Sequence, residues 1–325
     1  MEDCKKIKFA IYADDEFLSS QNLRKWFETM VFFEPDRMRG KRLANSTVKF
    51  NRKKLLSSLD TILSENGNFN IRLSNDFNSF SFWRYSAHYS IICSLSTDIY
   101  DANKDVLLKN IDAFFKDYGG IVAYACSSED YFWQNLYDLN YYKSQGRNVD
   151  GLHITKRDVS DETFIIDTEY NPGHSHYPLD LWFGSCWAMW FGDKYFQYIP
   201  KEILRSFRDC YENTELEDGS VRILLHEDVW DFDAKENRDR QWSFRKQVGI
   251  DETAHQMLNM PIITNGADVS IELLNGNFEH GGIKKINYYF DKNGKVVPKY
   301  KAIECRTYEF DKDGKVVWSD IKQIV

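Results

Sequence analysis

One alternation constrains the fold of this chain more than any other feature. From Trp83 to Leu95 the odd positions read Trp83, Tyr85, Ala87, Tyr89, Ile91, Cys93 and Leu95. The residues between them are mostly polar: Arg84, Ser86, His88, Ser90 and Ser94. A period of two puts one set on each face of a strand. The pattern predicts a single long strand with Trp83, Tyr85, Tyr89 and Ile91 on a covered face. One covered face is the habit of antiparallel sheets.

The flanking segments supply layers for such a sheet. Ile7, Phe9, Ile11 and Ala13 alternate as a first strand. Leu23, Trp26, Phe27, Met30 and Val31 recur at helical spacing, as do Leu55, Leu56, Leu59, Ile62 and Leu63. Leu107, Ile111, Phe114, Phe115 and Tyr118 predict a third helix, ended by Gly119-Gly120. Ile121 to Cys126 reads as a short buried strand. A helix capped by Ser127 or Ser128 is predicted to carry Phe132, Leu136 and Leu139. Lys143 to Asp161 is polar, with Gly146 and Gly151, and is expected to be a long connection. Ile199-Pro200-Lys201-Glu202 predicts a helix start, with Leu204 and Phe207 inward.

The tail repeats itself. Tyr288-Tyr289-Phe290-Asp291-Lys292-Asn293-Gly294-Lys295-Val296-Val297 returns as Tyr308-Glu309-Phe310-Asp311-Lys312-Asp313-Gly314-Lys315-Val316-Val317. Asn-Gly and Asp-Gly between apolar runs predict type I′ hairpin turns, which need positive φ at both central residues. Asp-Lys-Asp-Gly resembles a calcium loop but lacks the later glutamate, and a hairpin explains it better. The expected fold is therefore α+β: a mostly antiparallel β-sheet with packed helices, plus a C-terminal β-hairpin or meander. The expected regions are 1–142, 162–260 (continuous with the first or separate) and a tail at 261–325.

Five of the nine tryptophans lie between Trp182 and Trp242. Each indole must bury most of its area, so this concentration needs a large core or a contact surface. An acidic run follows: Glu227, Asp228, Asp231, Asp233 and Glu236, interleaved with Val229, Trp230 and Phe232. Carboxylates around aromatic anchors are the composition of a protein-binding hot spot. Glu227, Asp228, Trp230, Asp231 and Asp233 are thus the candidate partner-binding residues. The same composition also suits a solvated loop, and Arg238, Arg240 and Arg245 can pair with the run and fix it.

The chemical alternatives are weaker. His174 and His176 share one face of a strand and, with His226, Glu227 or Asp228, can ligate zinc. No His-x-x-x-His or Cys-x-x-Cys accompanies them, so no metal or other cofactor is expected. Cys186, between Ser185 and Trp187, can be a nucleophile only beside an oriented base, and a small buried thiol suits it better. No phosphate loop and no Gly-x-Ser-x-Gly elbow is present. No catalytic residue is assigned, and the chain is not expected to be an enzyme.

The bulk numbers agree with a folded binding protein. The chain has 325 residues, 42% hydrophobic and 16% aromatic, with a formal net charge of −8. That sign argues against general nucleic-acid binding. Met1-Glu2-Asp3-Cys4-Lys5-Lys6 is no secretory signal, and no stretch approaches a membrane span. The six cysteines are widely spaced and read as reduced thiols. A cytoplasmic location is expected.

The second half resembles the immunity proteins of bacterial polymorphic toxin systems. The resemblance runs from Trp182-Phe183-Gly184 and Trp190-Phe191-Gly192 through Ile199-Pro200 to Asp218-Gly219-Ser220-Val221-Arg222-Ile223-Leu224-Leu225, and ends in the polar segment from Glu227 to Arg245. It covers about half of the chain and is general in character. It implies an α+β antidote that binds a cognate toxin in the cytoplasm, and it transfers no site residues. A toxin with a basic functional face, such as a nuclease, suits an acidic inhibitor. The other readings are a metal-dependent or cysteine hydrolase built on His174, His176, Cys186 and the Glu227–Asp233 region, and a scaffolding protein.

Overall fold

A computed structural model describes residues 5–13, 17, 19–30, 32–40, 44–64, 69–84, 88–158, 161–258, 267–273, 276–292, 294, 296–297 and 302–324. The chain divides into two compact units, Met1–His255 and Gln256–Val325. The first opens with β1 (Lys6–Ala13), α1 (Ser20–Met30), β2 (Arg37–Gly40), β3 (Ala44–Lys49) and α2 (Arg52–Ser64). Next come β4 (Phe69–Ser74), β5 (Ser79–Arg84), β6 (Tyr89–Ser96) and α3 (Thr97–Tyr118). These lead to β7 (Val122–Ser127), α4 (Ser128–Asn135), α5 (Leu139–Ser144), β8 (Ile154–Asp158) and β9 (Asp161–Ile166). The short strands β10 (Ser175–His176) and β11 (Phe183–Gly184) precede β12 (Ala188–Phe191) and α6 (Lys201–Ser206). After β13 (Glu212–Glu215) and β14 (Val221–Leu224) come α7 (Lys235–Val248) and α8 (Ile250–Leu258).

Ten strands of this unit form one sheet in the order β13-β14-β12-β7-β1-β6-β5-β4-β2-β3. Every neighbouring pair is antiparallel. The fold is α+β. Because β7 pairs with β12, the regions before and after residue 150 share that sheet.

Register explains the core. Ile7, Phe9 and Ile11 of β1 align with Leu95, Cys93 and Ile91 of β6. With Ala123, Ala125, Ala188 and Trp190 they make one buried face, on which Leu107, Ile111, Phe114 and Phe115 of α3 pack. The opposite face is covered too around β7 and β12. There Tyr124 stacks on Tyr131 of α4 (5.8 Å, 5°), and Phe191 meets Phe244 of α7 at 6.1 Å. Covered on both faces, β7 and β12 are buried at every position, which is why they read as continuous apolar runs.

The long strand expected from Trp83 to Leu95 is instead two strands, β5 and β6, joined as a hairpin. Cross-strand partners share a face, and Arg84 is opposite Tyr89, so even positions of β5 face the same way as odd positions of β6. Phe80 and Phe82 are the buried apolar residues of β5, and Trp83 points to the other face, opposite Ser90. Tyr89, Ile91, Cys93 and Leu95 are buried as expected. Tyr85, Ser86 and Ala87 lie outside the described residues. An unbroken odd-number alternation therefore concealed a chain reversal.

Three smaller expectations also change. The helix after Ser127 stops at Asn135, because Leu136 is extended and Asp138 caps a new helix by accepting the Tyr141 N–H at 2.9 Å. Phe132 is exposed and Leu139 is buried. The polar connection 143–161 contains β8, which pairs with β9. Pro200 caps α6 rather than opening it, with Leu204 and Phe207 buried as expected.

The second unit is a four-stranded meander of β15 (Ala267–Glu272), β16 (Lys284–Phe290), β17 (Glu304–Phe310) and β18 (Val316–Gln323). The second repeat turns between β17 and β18, but not by a type I′ turn. Gly314 alone has positive φ (77°) there, and the Asp311 carboxylate accepts the N–H groups of Asp313 and Lys315, both at 2.9 Å. The aspartate side chain does the turning that a second left-handed residue would otherwise do.

Candidate functional site

The tryptophan concentration builds core first. Trp182, Trp187 and Trp190 are at most 1% exposed. Each indole N–H finds a partner: Ser175 Oγ at 2.9 Å, the His226 carbonyl at 3.0 Å and Asp112 Oδ1 at 2.7 Å, respectively. Cys186 is also core. Its thiol donates weakly to the carbonyls of Ala125 and Ala188, and burial pushes it well above the usual thiol range. A thiol held protonated is a poor nucleophile.

The acidic segment lies between β14 and α7 as a run of turns. Its backbone is anchored. Val229 is buried, and Trp230 is half-buried against the core, edge-on to Tyr100 at 6.1 Å with the Lys5 ammonium 5.8 Å from its ring centre. His226 Nδ1 donates to the Asp228 carbonyl at 2.6 Å, and Asn237 Nδ2 donates to the Asp231 carbonyl at 2.8 Å. Glu227, Asp228, Asp231 and Asp233 are exposed. The acidity extends onto α3, where Asp101 and Asp105 are also exposed. After burial, the charges of Asp228, Asp101 and Asp105 push the Tyr100 hydroxyl upward.

Of the three arginines expected to neutralise this run, one does so. Arg238 pairs with Asp233 at 2.9 Å while also holding the buried Asp130 at 2.7 Å. Arg240 turns to Asn237 and Asp209. Arg245 lies elsewhere, in a histidine cluster.

That cluster gathers four elements. β10 carries His176, with His174 just before it on the same face, and pairs with β11. α7 supplies Arg245 from its last turn, and α8 supplies Asp251 from its first. Gly249, at φ 76°, ends α7 and lets α8 begin at once, so that Arg245 and Asp251 face each other. His174 Nε2 is 3.0 Å from His176 Nε2 and 2.6 Å from Arg245 Nη2. Asp251 Oδ1 is 2.9 Å from His176 Nε2, 3.2 Å from His174 Nε2, and bonded to Arg245 Nη2. Arg245 also donates to Asp251 Oδ2 at 3.1 Å and to the His174 carbonyl at 2.7 Å. Burial would raise the Asp251 carboxyl, but the bonds from His174, His176 and Arg245 outweigh it and hold it far below the carboxylate range. Burial lowers the pKa of His174. At the solvent side, His255 Nε2 lies 3.1 Å from Glu169 Oε1, with its ring 5.0 Å from that of His176.

The histidine pair thus gathers a different carboxylate from the ones expected. His226, Glu227 and Asp228 belong to neither metal-competent group among the described residues; these are His174 with His176 and Asp251, and His176 with Glu169 and His255. Asp251-x-x-x-His255 was the available signal, two ligand types four residues apart on one helix face.

No family model matches this sequence, and no curated protein does. Among solved structures, the chain is similar to a Pseudomonas aeruginosa T6SS protein, with a TM-score of 0.43 and 11% identity over 75% of this chain and 73% of that one. It is also similar to a chain in the structure of the toxic C-terminal tip of CdiA from Pseudomonas aeruginosa in complex with its immune protein. There the TM-score is 0.27 and the identity 13%, over 38% of this chain and 86% of that one. Among the described residues, no helix is long and apolar enough to cross a membrane.

Proposed function

We propose that this chain is an immunity protein, which binds a cognate toxin in the cytoplasm and blocks it by direct contact. The contacting surface is the acidic ridge of Glu227, Asp228, Asp231 and Asp233, with Trp230 at its base and Asp101 and Asp105 beside it. One observation carries the reading: exposed carboxylates stand on a backbone pinned by the buried Val229 and the half-buried Trp230. Charges held in place lose little entropy on binding and steer a basic partner before contact. Trp230 faces Tyr100, so its role is to stiffen the ridge as well as to be covered by a partner. The resemblance of the second half to toxin-system immunity proteins, general in character, includes this same segment.

The test is kinetic. Reversing Asp228→Lys and Asp231→Lys together should slow association with the toxin about tenfold or more and flatten its dependence on salt. Both side chains are exposed, and the bond given up is the one Asp228 accepts from the Trp230 N–H at 2.9 Å, so the melting temperature should fall only slightly. Unchanged association by the folded double variant removes this ridge as the contact surface.

A further inference from the structure

The cluster at the α7–α8 junction carries an inference that stands apart from the toxin reading. We infer that His174, His176 and Asp251 bind a divalent transition metal of the zinc class, with His255 closing the site from the solvent side.

The first argument is geometric. His174 Nε2, His176 Nε2 and Asp251 Oδ1 form a triangle with sides of 3.0, 2.9 and 3.2 Å. Ligands at about 2.0–2.1 Å around tetrahedral zinc lie about 3.3 Å apart. A small inward source of positive charge is what such a triangle accommodates.

The second argument is a count of protons. His174 Nδ1 is 2.6 Å from the Asn171 carbonyl, which only accepts, so Nδ1 carries the proton. In that tautomer the Nε2 atom is a lone pair. It faces Asp251 Oδ1, another acceptor, at 3.2 Å. Two acceptors so close require a shared donor or a shared cation. In the metal-free chain Arg245 Nη2 is that cation, 2.6 Å from His174 Nε2 and bonded to Asp251 Oδ1. A metal would take over those contacts of Nη2. Because the guanidinium is one rigid plane, Nη2 would leave them by a tilt of Arg245 about its bonds to Asp251 Oδ2 and the His174 carbonyl. With the Asn171 carbonyl on His174 Nδ1, it would then orient the ligands from outside, as second partners of metal ligands commonly do.

The third argument is topological. Asp251 and His255 are four residues apart in α8 and share its face, and His174 and His176 share a face beside β11. His255 has 45% of its side chain exposed, is paired with Glu169 and has its ring 5.0 Å from that of His176, so it can swing onto a metal at His176. The ligand set is imidazole and carboxylate without sulfur, which suits zinc and its neighbours in the first transition row.

The full chain, stripped with a chelator and dialysed, should be titrated with zinc sulfate by calorimetry and with cobalt(II) by visible absorption. About one zinc per chain is expected. Cobalt should give the intense bands of a four-coordinate site without a thiolate charge-transfer band. His255→Ala alters an exposed side chain and should fold, yet should bind zinc about tenfold more weakly or worse. His176→Ala should abolish the cobalt bands. A folded parent chain that takes up no stoichiometric zinc overturns the inference, with Arg245 then the permanent occupant. So does zinc affinity unchanged in folded His255→Ala and His176→Ala chains, which would place the metal elsewhere. Neither result bears on toxin binding.

Discussion

His226 is 3% exposed beneath the acidic ridge, and that burial sets its charge. Burial first, then the charges of Arg238 and Arg240, lower its pKa from 6.5, against the bond to the Asp228 carbonyl, which raises it. The sign of the consequence follows. Below pH 6.5 the unfolded chain takes up a proton that the folded chain resists, so this group's contribution to stability is present above about 6.5 and lost as pH falls through the folded value. His226→Asn keeps a donor for the Asp228 carbonyl and cannot be charged. Urea unfolding at about pH 7.5 and about pH 5.5 should therefore show a smaller loss of stability on acidification in the variant than in the parent. An equal or larger loss in the variant would mean that folding does not lower the pKa of His226. His174 is common to both proteins and drops out of the difference.

At the scale of elements, α7 is held by polar latches rather than by an apolar stripe. Its buried positions are Asn237, Gln241, Phe244, Arg245 and Val248. Asn237 Nδ2 reaches the Asp231 carbonyl, Gln241 Nε2 the Ser185 carbonyl at 3.3 Å, and Arg245 the His174 carbonyl. Only Phe244 and Val248 add apolar burial, at about 2 kcal/mol each. The helix thus depends on the angle at which Gly249 releases it into α8. A Cβ at Gly249 would meet nothing within 4 Å, so glycine is required there by its φ of 76° and not by space. Gly249→Ala should cost about 1–2 kcal/mol in chemical denaturation. A neutral result would show that the junction relaxes freely. The same latches explain what the sequence hid. α1, α2 and α3 were legible because Leu, Phe and Trp recur at helical spacing, and β1 and β7 because their apolar runs match their burial. A stripe of Asn, Gln and Arg gives no hydrophobic period, so the stretch after Glu227 read as one polar segment. The antiparallel pair β5 and β6 was hidden for a different reason: the odd-number alternation of the sequence runs on while the strand direction reverses. In the site, the paired histidines and the acidic run were visible. Asp251 was not, because its meeting with them is made by the α7–α8 turn, far along the chain.

At the scale of the molecule, the ten-stranded sheet gives the ridge a rigid footing, since β14 leads into it and α7 leads out. The meander of the second unit repeats a strand and turn that the sequence displayed openly, and its turn type was set by Asp311 rather than by a second left-handed residue. A net charge of −8, with five carboxylates among residues 227–236, gives the chain a field suited to a basic partner. The reading of the whole is that this chain protects by occupying that partner. The most direct measurement is growth of a bacterial host in which the product of the gene directly upstream is induced with or without this chain. Growth should stop without it, resume with it, and stop again when the folded Asp228→Lys, Asp231→Lys variant replaces it. Arrest that the parent chain leaves unrelieved, or an upstream product that is harmless alone, would contradict the account.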